Sequence, residues 1–154
     1  MHPARIIRCL TLVLLMLTPL IGCQSAAKPK AKAEMPALVF ADKYALFIAR
    51  YQFDQALAVS TPQNARLINN EIKPFLQKLS KQNGTKRLSF KEVQFLSAYL
   101  VDGNEGHLIV MEALIPSPLL KNGERVMLNY EVRRKGSGFE VVTSHIRLYN
   151  GQQP

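Results

Sequence analysis

Residues 38–154 predict an α+β domain, with two N-terminal helices packed on a curved four-stranded antiparallel sheet. Three observations carry that prediction. Apolar residues recur at helical spacing as far as Leu79, then at a spacing of two once Asn83-Gly84 is passed. Two turn-forming stretches, Asp102-Gly103-Asn104-Glu105-Gly106 and Lys135-Gly136-Ser137-Gly138, divide the second half into long alternating segments. The 154 residues are 47% hydrophobic, which suffices for one packed core and is too apolar for a disordered chain. A run of helices followed by a run of strands gives segregated layers rather than a parallel sheet with crossover helices.

The first helix is predicted from Asp42 to Val59, with Leu46, Ala49, Phe53, Ala56 and Leu57 on one stripe and Tyr44, Phe47, Ile48 and Tyr51 on a second flank. Ser60-Thr61-Pro62 stops it and starts the next: a hydroxyl caps, and the proline sits where its missing N–H is harmless. The second helix runs from about Pro62 to Gln82, burying Ala65, Ile68, Ile72, Leu76 and Leu79. Pro74 lies within it, so a kink is expected near Asn70, whose carbonyl loses its partner. Asn83-Gly84 supplies a left-handed cap. A strand from Lys86 to Val101 follows, and its phase changes between Phe90 and Val93, which places a bulge near Lys91-Glu92. His107 to Ile115 is the next strand, apolar on both faces. Pro116 to Gly123 is a longer connection whose prolines forbid ladder pairing.

The last hairpin joins Arg125–Arg134 to Phe139–Tyr149 through a Gly136-Ser137 turn of type II′. Counting outward from that turn pairs Arg133 with Glu140, Tyr130 with Thr143 and Leu128 with His145. The core face would then hold Val126, Leu128, Tyr130, Val132, Val141, Thr143 and His145. Two helices ahead of a meander of long hairpins resemble the NTF2-like superfamily and its cystatin-like relatives over Leu38 to Asn150. The resemblance rests on element order, and it implies a sheet curled into a cone around the helices.

The N-terminus reads as an address. Arg5 and Arg8 precede Cys9 to Ile21, an uncharged run too short for the roughly 20 residues of a spanning helix. It ends in Leu20-Ile21-Gly22-Cys23, which resembles the lipobox of bacterial lipoproteins. That resemblance implies removal of residues 1–22, lipidation of Cys23, and a chain anchored in the cell envelope by palmitate-type acylation. Gln24 rather than Asp after the cysteine implies sorting to the inner leaflet of the outer membrane, facing the periplasm. An ordinary signal peptide cut elsewhere is the competing reading. Residues 23–37, rich in Lys, Ala and Pro without apolar periodicity, form a flexible tether.

Chemistry is sparse. No Gly-rich phosphate loop, His-Glu-x-x-His, Gly-x-Ser-x-Gly or Cys-x-x-Cys occurs, and with Cys9 and Cys23 taken by the leader and the lipid no thiol nucleophile is left. His107 and His145 have no ligand spacing around them, so neither metal nor cofactor is expected. Tyr130, Thr143 and His145 are the one interior polar constellation the register produces, a candidate pocket in which His145 would need a carboxylate partner to act as acid or base. A structural role is the preferred reading there. Glu112 interrupts an apolar strand, and a charge in that setting ordinarily faces solvent. Arg125, Arg133, Arg134, Lys135 and Arg147 gather on the last hairpin, either as a basic edge that recognises an acidic partner or headgroup, or as protection against edge-to-edge pairing. The net charge of +9 would raise nucleic acid as a partner, but an exported chain meets anionic lipids and envelope polymers instead. The expectation is a non-catalytic binding or scaffold module with an envelope protein partner; the alternatives are a binder of a small apolar ligand or lipid, then an NTF2-like enzyme using His145.

Overall fold

A computed structural model describes residues 35–149, so the lipobox, Cys23 and the tether up to residue 34 lie outside the described residues. The element order is α1 (Pro36–Ala49), α2 (Phe53–Ala58), α3 (Pro62–Leu67), a π-helical turn (Ile68–Ile72), α4 (Lys73–Gln82), β1 (Phe90–Val101), β2 (Asn104–Pro116), β3 (Arg125–Lys135) and β4 (Gly138–Tyr149). The four strands form one antiparallel meander in the order β1-β2-β3-β4, so the architecture is α+β.

The helices differ from expectation in their boundaries. Helix α1 begins at Pro36, inside the stretch assigned to the tether, because Ala37, Leu38, Ala41, Tyr44, Ala45 and Ile48 form one buried stripe and need a continuous helix to do so. It does not run on to Val59. It ends in a Schellman arrangement in which Gln52 N–H bonds Phe47 O (2.8 Å) and Tyr51 N–H bonds Ile48 O (3.1 Å). Tyr51 occupies the left-handed position, at φ 57°, where glycine is usual. That conformation costs about 1–2 kcal/mol. Tertiary contacts offset the cost: the Arg87 guanidinium lies 4.4 Å from the Tyr51 ring and donates to Tyr51 O, while the Tyr51 hydroxyl accepts from Leu88 N–H at 3.0 Å.

The α3–α4 helix carries its irregularity where the proline demands it. Pro74 cannot donate to Asn70 O, and the preceding turn widens so that Lys73 N–H reaches Ile68 O, five residues back. Its end is a second Schellman cap, with Thr85 N–H on Ser80 O, Gly84 N–H on Lys81 O, and Gly84 at φ 70°.

The β1–β2 register shifts at Lys91, as the phase change predicted, and again at Leu96. The turn between these strands is shorter than the predicted five-residue loop. Asp102 and Gly103 both have positive φ, which is a two-residue type I′ hairpin turn. One core cluster fills the space between the helices and the inner sheet face, joining Tyr44, Ile48, Ile68, Ile72 and Leu76 to Leu108, Val110, Leu114, Leu128, Tyr130 and Val141. Tyr44 and Tyr130 meet in this core with ring centroids 5.1 Å apart.

Candidate functional site

The register of the last hairpin separates the predicted pocket residues. Arg133 pairs with Glu140 as expected, but Val132 pairs with Val141 and Glu131 with Thr143, so Val142 is an extra residue on β4. Beyond that bulge every side chain of β4 changes face. Tyr130 faces Ser144 rather than Thr143, and Leu128 faces Ile146 rather than His145. Tyr130 stays in the core at 2% exposure and Ser144 joins it at 0%, whereas the His145 side chain is 64% exposed on the opposite face. His145 does lie near a carboxylate, 3.9 Å from Glu71, but both groups are more than half exposed and bounded by solvent. Tyr130, Thr143 and His145 therefore form no common pocket.

A tertiary contact holds the bulge in place. The chain between α2 and α3 pairs with β4 as a parallel bridge at Ser60 and Val141. Val141 N–H bonds Val59 O and Thr61 N–H bonds Val141 O, both at 2.9 Å. The Thr61 hydroxyl donates to Val142 O at 2.9 Å and accepts Asn64 N–H at 3.2 Å, so one side chain caps α3 and takes up the carbonyl of the extra residue.

The interior polar groups form closed networks. Ser144 Oγ donates to Asn64 Oδ1 (2.6 Å), which leaves the Tyr44 hydroxyl to donate to Ser144 Oγ (2.9 Å). The Asn64 amide gives its two hydrogens to Tyr44 and Ser60, and Ser60 donates to Ala56 O. Every member is used, which is the pattern of a group that positions elements rather than one awaiting a substrate. Glu112, expected at the surface, is 1% exposed and bonded to the Tyr130 hydroxyl at 2.6 Å, with Ala41 O at 2.8 Å from the same hydroxyl. Burial, then the charge of Glu112, pushes the Tyr130 hydroxyl well above the usual tyrosine range; burial alone raises Tyr44 against the hydrogen bonds that favour its ionised form.

His107 bonds Glu131 across the hairpin end, on the outer face of the sheet. Among the described residues, no group of three or more His, Cys, Asp or Glu side chains could hold a metal ion, and no helix is long and apolar enough to cross a membrane.

The basic residues divide into two sets. Arg133 and Lys135 are engaged with Glu140, at 2.7 and 2.9 Å, and Arg134 lies over the Phe139 ring. That pair of cations holds the Glu140 carboxyl below the ordinary range. Arg125 and Arg147 stand at the far end of the hairpin, about 26 Å away at roughly 3.3 Å per residue. There they border a cleft of about 360 Å³ on the outer sheet face, lined also by Leu96, Met111, Ala113, Met127 and Tyr149. Ala113, Ile115 and Met127 are buried in a small apolar cluster of their own, with Met111 and Tyr149 against it. The signal for this cleft in the sequence is β2 itself: a strand apolar on both faces has a second surface to bury. The register shift at Leu96 could not be read there, and it sets that side chain on the rim, 38% exposed.

Compared with known proteins, the chain matches no protein-family model, no curated protein and no solved structure.

Proposed function

We propose that this chain is a bacterial lipoprotein, anchored through lipid on Cys23 and facing the periplasm, whose domain is a non-catalytic binding or scaffold module of a cell-envelope complex. The meander with helices on its inner face is read as an NTF2-like cone. One observation carries the binding reading: the space inside the sheet is occupied by Tyr44, Tyr130, Ile48 and Leu114, all 2% exposed or less, while open apolar and cationic surface lies outside it. A filled interior and a structured outer face suit a module that docks on a partner. The lipobox and the charged, periodicity-free tether support the anchor, which concentrates such a module at a membrane.

The test is a pull-down of the wild-type, lipidated protein from gently solubilised membranes, with the eluate examined for protein and for extracted small molecules. A stoichiometric protein partner is the expected result; a small molecule without protein would replace the scaffold by a ligand carrier. Cys23→Ser should move the protein from the membrane to the soluble fraction, and wild-type fractionation of that variant would remove the anchor from the proposal.

A further inference from the structure

The outer-face cleft combines three features. Its floor is apolar: Ala113 and Met127 are buried within the sheet and Met111 packs beside them. Its rim holds two guanidinium groups, Arg125 and Arg147, and no acidic residue lines it. Arg125 gives one hydrogen bond to the neutral Gln94 side chain at 3.2 Å, and among the described residues neither arginine has a carboxylate partner. This contrasts with the turn end of the same hairpin, where Arg133 and Lys135 share the Glu140 carboxylate. Two unneutralised forks on either side of an apolar slot are complementary to an apolar side chain with carboxylates beside it.

The neighbouring row of the sheet favours a polypeptide as the bearer of those groups. Ser97, Met111, Asn129 and His145 are cross-strand partners there. In that row the Ser97 and His145 side chains are exposed, and both carry hydrogen-bonding groups. Hydrogen-bonding groups beside the slot match a peptide backbone and do not match hydrocarbon.

We infer that this cleft is the docking site for a partner-protein segment in which a large apolar side chain is flanked by acidic residues. The apolar side chain seats against Leu96, Met111 and Tyr149, the lining residues that keep accessible apolar surface, and its neighbouring carboxylates are held by Arg125 and Arg147. The inference rests on the binding-module reading and names the surface and partner chemistry for it.

The experiment uses the full, lipidated chain in detergent and three blocked fluorescent peptides. The first carries one phenylalanine between two glutamates, the second replaces the glutamates by glutamines, and the third replaces the phenylalanine by serine. Expected is binding of the first at least tenfold tighter than of either other peptide, weakening as salt rises. Arg147→Gln and Arg125→Gln should each lower that affinity about five- to tenfold while leaving the glutamine peptide unaffected, Arg147→Lys should lose less, and Leu119→Ser, on a remote loop, should change nothing. Circular-dichroism melting checks that each variant is folded. Equal affinity for the glutamate and glutamine peptides, or no effect of the arginine substitutions, overturns the assignment. So does an Arg147-dependent association with phosphatidylglycerol vesicles, or with a second copy of the chain, in place of peptide binding. A negative peptide result alongside a stoichiometric protein in the pull-down rejects this cleft and leaves the scaffold reading standing; absence of any protein partner rejects the reading itself.

Discussion

Thr61 is the residue on which two elements depend at once. Its hydroxyl caps α3 and satisfies the carbonyl of the extra β4 residue, Val142. Thr61→Val keeps the shape and removes both bonds, so a loss of about 2 kcal/mol is expected in urea unfolding, from about 1 kcal/mol for the cap and a similar amount for the stranded carbonyl. The buried tyrosines make a second prediction at this scale. Tyr44 and Tyr130 hold their protons more tightly when folded, because burial, and for Tyr130 also Glu112, opposes phenolate. A raised folded-state value means that their contribution is fully present below about pH 10, the unfolded value, and is lost as pH rises above it, since only the unfolded chain then sheds those protons. Stability should be level through pH 8–9.5 and fall beyond about pH 10, with a shallower fall in Tyr130→Phe. A variant that falls as steeply as wild type would separate Tyr130 from the alkaline limb.

At the scale of elements, both edges of the sheet are interrupted, by different means. Strand β4 is covered at Val141 by the Val59–Thr61 segment. Strand β1 is interrupted by register shifts at Lys91, at Leu96 and before Val101, which break the regular ladder another strand would need. Among the basic residues, Arg133 and Lys135 at the turn end pin Glu140. In Glu140→Gln that contribution disappears. Because the carboxyl is held below its ordinary value, wild type should exceed the variant in stability at neutral pH, and the difference should shrink as pH falls through about 4 and vanish below the lowered value. A difference that persists unchanged at low pH would assign the effect to packing instead. The β4 bulge gives the strongest prediction for an element. Deleting Val142 would remove the extra residue, keep Ser144 opposite Tyr130, and take away the carbonyl that the Thr61 hydroxyl bonds. A loss of about 1–2 kcal/mol with the fold retained is expected, read by thermal melting.

On the scale of the whole molecule, the proposed anchor and the fold are separable. The core cluster is built within the described residues, from Ala37 to Val141. Cys23→Ser should therefore change fractionation without moving the melting temperature of the domain, and a large drop in that temperature would tie the N-terminal segment to the core. The two faces of the sheet differ. The inner one is consumed by packing against the helices, and the outer one carries Arg125, Arg147 and the apolar cleft. Charge is thus neutralised at one end of the final hairpin and left available at the other.

Much of the architecture was legible because it depends on neighbours in sequence. The change of period after Gly84, the Pro74 irregularity, the Thr61 cap, the bulge near Lys91 and the Arg133–Glu140 pairing all follow from backbone chemistry within a few residues, and the α+β class follows from their order. The candidate site was not legible in that way. A count from the Gly136-Ser137 turn holds only as far as Val141, because the bulge beyond it is held by Thr61, some 80 residues earlier in the chain. That one residue of slippage moved Thr143 and His145 out of the core and Ser144 into it. Left-handed Tyr51 likewise exists because Arg87 and Leu88 grip it, not because its own preference ends a helix. The sequence alone determined the order of helical and strand segments and the stops between them that local chemistry dictates. Only the tertiary structure decided which polar groups were enclosed and which arginines stayed unneutralised, because faces and ion pairs are set by contacts between residues far apart in the chain.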